Sequence, residues 1–160
     1  MKKTLLLTFA ICFVSLQLVF AQKGKLTDPK VPAAVTNAFK AKYPNMKVTD
    51  WDYEADKNAY EAEFKMDGKK MEASFSADGQ WMKTKSDIKR EQLPIAVSKA
   101  IASGEYSDWS MSDIAELDTP EGKRYKVKVR KGVDFDYLQY DTNGKLLERK
   151  DKKHSDGVVK

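Results

Sequence analysis

The sequence predicts an α+β protein: a tandem repeat of one helix plus a four-stranded antiparallel meander, with the helices packed on one face of the sheet. Residues 60–81 and 125–146 both begin with tyrosine, alternate apolar and polar side chains, and turn twice, at positions 65 apart. Two helix-like stretches, residues 31–43 and 93–106, precede them at a spacing of 62. A helix with one apolar stripe and a sheet with one apolar face have to cover each other.

Each predicted repeat opens with a helix. Pro32 and Pro94 stand in the first turn, where proline loses no hydrogen bond that the helix needs. Pro44 ends the first helix and Gly104 ends the second. Apolar residues recur between these limits at helical spacing: Val35, Ala38 and Phe39 in the first helix, and Val97, Ala100 and Ile101 in the second.

The first hairpin turns at Asp67-Gly68, a dipeptide typical of two-residue hairpin loops. A two-residue loop here pairs Phe64 with Met71 across the strands. The same register brings every apolar residue of one strand opposite an apolar residue of the other, which favours this pairing.

The second hairpin turns at Gly132-Val133, and glycine at the first central position suits a type II′ turn. The matching register pairs Val127 with Leu138. It also sets Val129 against Asp136, and this poor match predicts a β-bulge nearby.

A fourth strand follows a glycine-containing turn in each repeat, and its parity stays open. The sequence also leaves open whether the two repeats form one antiparallel sheet or two adjacent sheets. The inward-pointing residues are Met82 and Leu147 if the loop has two residues, or Trp81 and Leu146 if it has three residues and a glycine bulge.

Four segments divide the chain. Residues 1–21 are predicted to be a signal peptide, in which Lys2 and Lys3 precede an apolar run and cleavage follows Ala21. The first α+β repeat spans residues 28–88, the second spans residues 89–150, and residues 151–160 form a charged tail. We therefore expect a periplasmic or secreted protein with no membrane insertion after signal cleavage.

The mature chain would have 139 residues, with 27 basic and 24 acidic side chains and a net charge of +3. Such a small and evenly mixed charge argues against nucleic acid as a partner. The only cysteine, Cys12, lies in the signal peptide, so the mature chain has neither disulfides nor thiol chemistry. An exported domain of this size without disulfides has to be held together by its apolar core.

Residue types that carry catalytic chemistry are nearly absent. His154, the single histidine, lies in the charged tail, where it lacks the fixed geometry that a general base needs. Residues 52–58 alternate oxygen-bearing side chains but lack the glycine and the distal glutamate of a calcium loop. Carboxylates on a solvated sheet face are poor general acids. The sequence therefore predicts no enzyme, no catalytic residue, no metal site and no cofactor.

The hairpin register places a candidate binding surface on the outer face of the second repeat: Lys126, Lys128 and Arg130 beside Phe135 and Tyr137. Aromatic and arginine side chains are common anchors of protein interfaces. A register shifted by one residue would instead bury both rings and expose Leu138 and Tyr140. Further aromatic candidates come from the first strand of each repeat: Trp51, Tyr53 and Trp109.

Three pairs of motifs carry a resemblance to a known family. They are "VPAAVTNAFKAKYP" and "LPIAVSKAI", "WDYEADKNAYEAEF" and "GKRYKVKV", and "FSADGQW" and "YDTNGKLLE". Over residues 28–150 the sequence resembles the bacterial periplasmic proteins grouped as PepSY-like or β-lactamase-inhibitor-like. The resemblance implies helices on one side of an antiparallel sheet, a free sheet face that can bind a protein, and inhibition of a peptidase or other hydrolase as the theme. Unlike secreted β-lactamase inhibitor proteins, the mature chain has no cysteines, which argues against a β-lactamase as the target.

These observations predict a non-catalytic exported binding domain. We expect it to bind or inhibit another periplasmic or secreted protein through the open face of its sheet. The alternative is a binder of anionic small molecules or envelope glycans, which the mixed lysine and arginine face also favours.

Overall fold

The described part of the chain consists of two successive halves, each with one helix followed by four strands. The computed structural model describes residues 30–152, with side chains up to residue 150. The first half contains α1 (Ala33–Lys42), β1 (Val48–Glu54), β2 (Ala59–Met66), β3 (Lys69–Ser76) and β4 (Trp81–Asp87). A short 3₁₀ turn (Arg90–Gln92) leads to the second half, which contains α2 (Ile95–Ser103), β5 (Ser110–Thr119), β6 (Gly122–Lys131), β7 (Asp134–Asp141) and β8 (Leu146–Lys152).

All eight strands form one antiparallel sheet in chain order. The halves join where β4 pairs with β5, with Thr84 opposite Asp118 and Ser86 opposite Glu116. The sequence left open whether the two repeats form one sheet or two adjacent sheets. This pairing shows that the sheet is continuous across both halves. Paired residues point to the same face of a sheet, so the two halves share a common pair of faces.

Both helices cover the same face of this sheet. Pro32 and Pro94 are the residues that precede the two helices, as their spacing predicts. Val35 and Phe39 of α1 are buried against β2 and β3, while Val97 and Ile101 of α2 are buried against the second half. The core has two clusters: one centred on Phe39, Phe64 and Phe75, and one centred on Ile101, Val127 and Leu138.

The predicted hairpin registers are confirmed in both halves. Phe64 pairs with Met71 in the first hairpin, and Val127 pairs with Leu138 in the second. Asp67 has a φ of 51° and Gly68 a φ of 76°, the positive values that a two-residue type I′ turn requires.

The prediction of a β-bulge beside Asp136 is wrong. β6 and β7 pair without interruption from Arg124–Asp141 to Lys131–Asp134. Asp136 points to the helix-covered face and is 5% exposed. It accepts a hydrogen bond from the Tyr106 hydroxyl (2.6 Å) and forms an ion pair with Arg149 (3.3 Å). The mismatch with Val129 is therefore resolved by partners from the α2–β5 connection and from β8.

Tyr106, Asp136 and Arg149 form a polar cross-link through the second half. Arg149 also pairs with Glu105 at 2.8 Å, and its guanidinium lies 5.5 Å from the centre of the Tyr106 ring. Burial, followed by the hydrogen bond to Asp136, raises the pKa of Tyr106 well above its ordinary value. The hydroxyl therefore remains a donor throughout the physiological pH range.

The fourth strand of each half follows a three-residue loop with a bulge, one of the two alternatives left open. Trp81 pairs with Phe75 and Leu146 pairs with Tyr140, and a register shift follows in both ladders. Gly79 and Gly144 occupy the turns with φ of 89° and 81°. A Cβ atom would lie 2.7 Å from the Ala34 carbonyl oxygen at Gly79, and 2.5 Å from that of Ala96 at Gly144.

Several sequence predictions concern residues at the chain ends. The signal peptide (1–21) and His154 lie outside the described residues. β8 continues through Lys152, two residues past the predicted end of the second repeat. Within residues 30–152, no helix is both long and apolar enough to cross a membrane.

Gly144→Ala is expected to destabilise the fold more than Gly132→Ala. Both glycines have positive φ, but a Cβ at Gly132 would meet nothing within 4 Å. Gly132→Ala should therefore lower the free energy of unfolding only by the strain of a left-handed backbone at a non-glycine residue, about 1–2 kcal/mol. Gly144→Ala adds an overlap with α2 that should cost about 1–3 kcal/mol more. Urea unfolding measures both, and equal losses would show that α2 does not press on the β7–β8 turn.

Tyr106→Phe is expected to lower the free energy of unfolding by about 1.5–3 kcal/mol, the range for hydrogen bonds to charged groups. The change leaves the Asp136 carboxylate buried with one partner fewer. Tyr140→Phe is the matched control, because that tyrosine is equally buried and its hydroxyl has no hydrogen-bond partner among the described residues. A similar loss in both variants would contradict the role of the cross-link.

Candidate functional site

The open face is the side of the sheet opposite α1 and α2. No described helix covers it, and its side chains come from alternate positions of all eight strands. Ala115 and Leu117 of β5 lie on this face, yet they are 1% and 6% exposed. Ala115 pairs with Lys126 and Leu117 with Lys85, so the aliphatic stems of these lysines flank the two apolar residues.

The structure brings together all five residues predicted for the outer face of the second half, hereafter the aromatic–basic patch (Lys126, Lys128, Arg130, Phe135 and Tyr137). Lys128 pairs with Tyr137 and Arg130 with Phe135 across β6 and β7. The shifted register is excluded, because Leu138 and Tyr140 are buried in the core.

Cations and rings alternate within the aromatic–basic patch. Lys126 Nζ lies 4.6 Å from the centre of the Tyr137 ring, and Lys128 Nζ lies 4.8 Å from that of Phe135. The two rings meet edge to face, with centres 5.9 Å apart and an interplanar angle of 86°. Such cation–π and edge contacts hold the half-buried side chains in defined orientations.

A cavity of about 290 Å³ opens at the end of the patch near the β6–β7 turn. It is lined by Lys128, Arg130, Val133 and Phe135. Val133 in the turn is 68% exposed. The cavity thus combines apolar walls with two cations.

The other three predicted aromatic residues lie apart from the patch. Trp51 packs edge-on against Phe39 of α1, with ring centres 5.9 Å apart. Tyr53 pairs with Tyr60 on the same helix-covered face. Trp109 packs against Tyr106 and the second core cluster. These three side chains therefore belong to the covered side of the sheet.

Charge is distributed unevenly over the open face. On β1–β3 the acidic residues are Asp50, Asp52, Glu54, Glu61, Glu63 and Glu72, against Lys65 and Lys70. On β4–β8 the basic residues are Lys83, Lys85, Arg124, Lys126, Lys128, Arg130 and Lys150, against Asp87, Asp141 and Glu148. The open face therefore has an acidic half and a basic half, defined by these residues.

Three lysines of the basic half were missed in the sequence analysis. Lys83 and Lys85 on β4 and Lys150 on β8 reach the open face because each fourth strand contains a bulge. After the bulge, each fourth strand follows the pairing that a two-residue loop would give, with Ser74 opposite Lys83 and Tyr137 opposite Lys150, and the sequence left both alternatives open. The glycines at positions 79 and 144, which the bulge requires, were the available signal.

Like charges gather within each half of the open face. Partial burial, and then repulsion by Lys83, Lys85, Lys150 and Lys57, lowers the pKa of Lys126. On the acidic half, burial and then repulsion by Glu54 and Glu72 raises the pKa of Glu61. The face thus presents a local excess of positive charge at its centre, which attracts anions.

The described side chains of the open face offer groups for binding. Among residues 30–150, no three acidic, histidine or cysteine side chains converge as metal ligands. The aromatic–basic patch offers apolar rings, ammonium groups and one guanidinium, which are groups that bind and orient.

The fold defines a class of protein. It is an α+β domain with helices on one side of a continuous antiparallel sheet, and no described helix covers the other side. The family model described as "Putative beta-lactamase-inhibitor-like, PepSY-like" matches residues 17–69 and 58–148. The chain belongs to this PepSY-like family. No curated protein matches the chain.

Solved structures from Bacteroides share the fold. A BLIP-like protein from Bacteroides fragilis NCTC 9343 is 28% identical, with a TM-score of 0.66 over 79% of this chain and 91% of that chain. A DUF2874 family protein from Bacteroides ovatus ATCC 8483 is 26% identical, with a TM-score of 0.69 over 78% and 89%. A protein from Bacteroides eggerthii DSM 20697, described as "putative periplasmic", is 25% identical, with a TM-score of 0.65 over 76% and 88%.

Glu61→Gln is expected to stabilise the protein at pH 7 but not at pH 4. The folded-state pKa of Glu61 lies above its ordinary value of 4.5, so the folded chain binds this proton more tightly than the unfolded chain. Proton binding by Glu61 therefore favours folding at low pH, and this contribution to stability is lost as the pH rises through the raised pKa. Glutamine carries no charge and keeps an oxygen for the Ser74 hydroxyl, which donates to Glu61 at 3.1 Å.

Unfolding curves of Glu61→Gln at several pH values between 4 and 7 test this expectation. Glu72→Gln is the opposite control: burial raises the pKa of Glu72, but Lys85 and Lys70 outweigh it and leave that pKa lowered. Glu72→Gln should therefore lose stability relative to the parent protein as the pH rises. A gain for Glu61→Gln that is independent of pH would contradict the repulsion among the acidic residues.

Proposed function

We propose that this protein is a non-catalytic exported domain that binds another protein through the open face of its sheet. The observation that carries the proposal is the aromatic–basic patch, where Phe135 and Tyr137 lie on a sheet face that no described helix covers. Aromatic side chains held between cations provide large contact area at little cost in conformational entropy. A rigid sheet supplies the preorganisation that favours affinity.

The partner that suits this proposal is another periplasmic or secreted protein, and we favour a peptidase or other hydrolase that the domain inhibits. The family description is inhibitor-like, and a solved relative is described as BLIP-like. Another solved relative is described as periplasmic, which supports export of this chain. An inhibitor acts by occupying a surface, which is a role that needs no reactive group of its own.

We also infer that the two halves are copies of one unit. Each contains one helix followed by four strands, and the turn glycines at positions 79 and 144 both lie against the first turn of their helix. In this interpretation the duplicated scaffold supplies a wide sheet, and the second half supplies the aromatic anchors.

A second candidate function is supported by the excess of cations on the basic half. Ammonium and guanidinium groups at this density also suit anionic small molecules or envelope glycans. Binding of that kind weakens steeply with salt, because the screening length shortens from about 10 Å at 0.1 M to about 3 Å at 1 M. Binding that persists in high salt therefore favours apolar contacts with a protein.

The double variant Phe135→Ala/Tyr137→Ala is expected to abolish capture of a partner. The protein would be immobilised and exposed to an envelope extract of the source organism, and retained proteins would be identified by mass spectrometry. Loss of one interface anchor costs about 2 kcal/mol or more, so the double variant should lose at least about 100-fold in affinity. Ile95→Ala is the matched control, because Ile95 on α2 is 73% exposed and lies on the helix side.

The proposal stands if a protein is retained by the parent and by Ile95→Ala but not by the double variant, while all three unfold at similar urea concentrations. Hydrolase activity of the retained protein should then fall when the parent is added. Retention that is equal in all three proteins, or no retained protein at all, would overturn the proposal.

A further inference from the structure

Three cations of the basic half have no acidic partner among the residues whose side chains the structure describes. Within residues 30–150, no carboxylate lies within 4.0 Å of Lys83, Lys126 or Arg130. Lys85 and Lys128, by contrast, pair with Glu72 at 3.0 Å and Asp113 at 3.3 Å. The basic half therefore holds positive charge that the described part of the chain does not neutralise.

These cations extend across several strands. Lys83 lies on β4 and Lys126 and Arg130 lie on β6, while a further lysine of the basic half, Lys150 on β8, pairs with Glu148 at 3.1 Å. Neighbouring strands are about 4.8 Å apart, so the path from β4 to β8 is about 20 Å long. An extended polypeptide rises about 3.3 Å per residue, and six or seven residues span that distance. Its alternate side chains would face the sheet, within reach of the flexible lysine side chains.

Repulsion at the centre of this path favours an acidic ligand. Four lysines act on Lys126 and, together with its partial burial, lower its pKa. A carboxylate placed beside Lys126 would relieve that repulsion and would form a charge-assisted hydrogen bond. A neutral segment would bury the same lysine without compensation.

The cavity beside this path, near the β6–β7 turn, favours a ligand that carries an apolar side chain as well as negative charge. Its walls include Phe135 and Val133, which suit an aliphatic or aromatic side chain. Arg130 Nε donates to the Gly132 carbonyl oxygen at 2.8 Å, which holds the guanidinium at the rim. Its remaining N–H groups can donate to a carboxylate next to an inserted side chain.

We propose that the basic half binds an acidic polypeptide segment, extended across β4–β8, with one apolar side chain in the cavity lined by Lys128, Arg130, Val133 and Phe135. The inference rests on the proposed function and specifies its partner, because it requires the bound protein to present carboxylates around an apolar residue. An anionic glycan matches the cations but has no apolar group for the cavity.

Three synthetic nine-residue peptides, each with a fluorescent label, test the inference. The first has Glu and Asp on both sides of a central Leu, the second replaces the acids with Gln and Asn, and the third replaces Leu with Ser. Fluorescence anisotropy at low ionic strength should detect binding of the first peptide. We expect at least a tenfold loss for the neutral peptide and a several-fold loss for the peptide with Ser.

The double variant Lys126→Ala/Arg130→Ala should bind the first peptide at least ten times more weakly than the parent. Lys65→Ala/Lys69→Ala is the matched control, since both lysines are exposed and lie in the first half. The inference is overturned if the control loses as much as the patch variant, if the neutral peptide binds equally, or if no peptide binds. It is also overturned if polygalacturonate, an anionic glycan, competes with the parent more strongly than the acidic peptide does.

Failure of this inference can be distinguished from failure of the proposed function. A captured protein that is lost with Phe135→Ala/Tyr137→Ala, yet is retained in 0.5 M salt and by Lys126→Ala/Arg130→Ala, would leave the proposed function standing and overturn the acidic partner. Absence of any captured protein would overturn the proposed function itself, whatever the peptides do.

Discussion

The alternation of side chains along one continuous antiparallel ladder is the constraint on which the rest of this structure depends. Successive residues of a strand point to opposite faces, and paired residues point to the same face. Once β4 pairs with β5, the strand pairing and the bulges in the β1–β2, β3–β4, β5–β6 and β7–β8 ladders together determine which face each side chain from β1 to β8 occupies. The helices then cover one face, and whatever the second face presents is available to a partner.

Both hydrophobic clusters of the described residues lie on the helix-covered face of the sheet. Val35, Phe39, Val97 and Ile101 bring the helices onto the sheet, and the aromatic cluster around Phe39 packs with edge-to-face contacts. Without disulfides in the described residues, this burial has to carry the stability of the domain. The open face needs no second layer, because its two buried apolar positions on β5 are flanked by lysine stems from the neighbouring strands.

Local turn chemistry explains which parts of this fold could be predicted from sequence. Asp67-Gly68 and Gly132-Val133 specify loop length, and loop length specifies register, so the hairpins and the aromatic–basic patch follow. The partners of Asp136 could not be predicted, because Tyr106 lies 30 residues earlier in the chain and reaches it only through tertiary packing. Lys83, Lys85 and Lys150 were missed for a local reason: their face depends on the loop length and on the position of the bulge, which the dipeptides at 78–79 and 143–144 leave undecided.

The two halves differ on the face where folding does not require them to agree. Most positions 65 apart on the covered face keep an apolar character, such as Ala62 and Val127 or Phe75 and Tyr140; an exception is Met71, which corresponds to Asp136. On the open face the same spacing relates acidic residues to basic or aromatic ones: Glu61 to Lys126, Glu63 to Lys128, and Glu72 to Tyr137. A solvated sheet face with either charge would satisfy the fold. The scaffold does not account for the difference, whereas the proposed binding role accounts for the rings and cations of the second half.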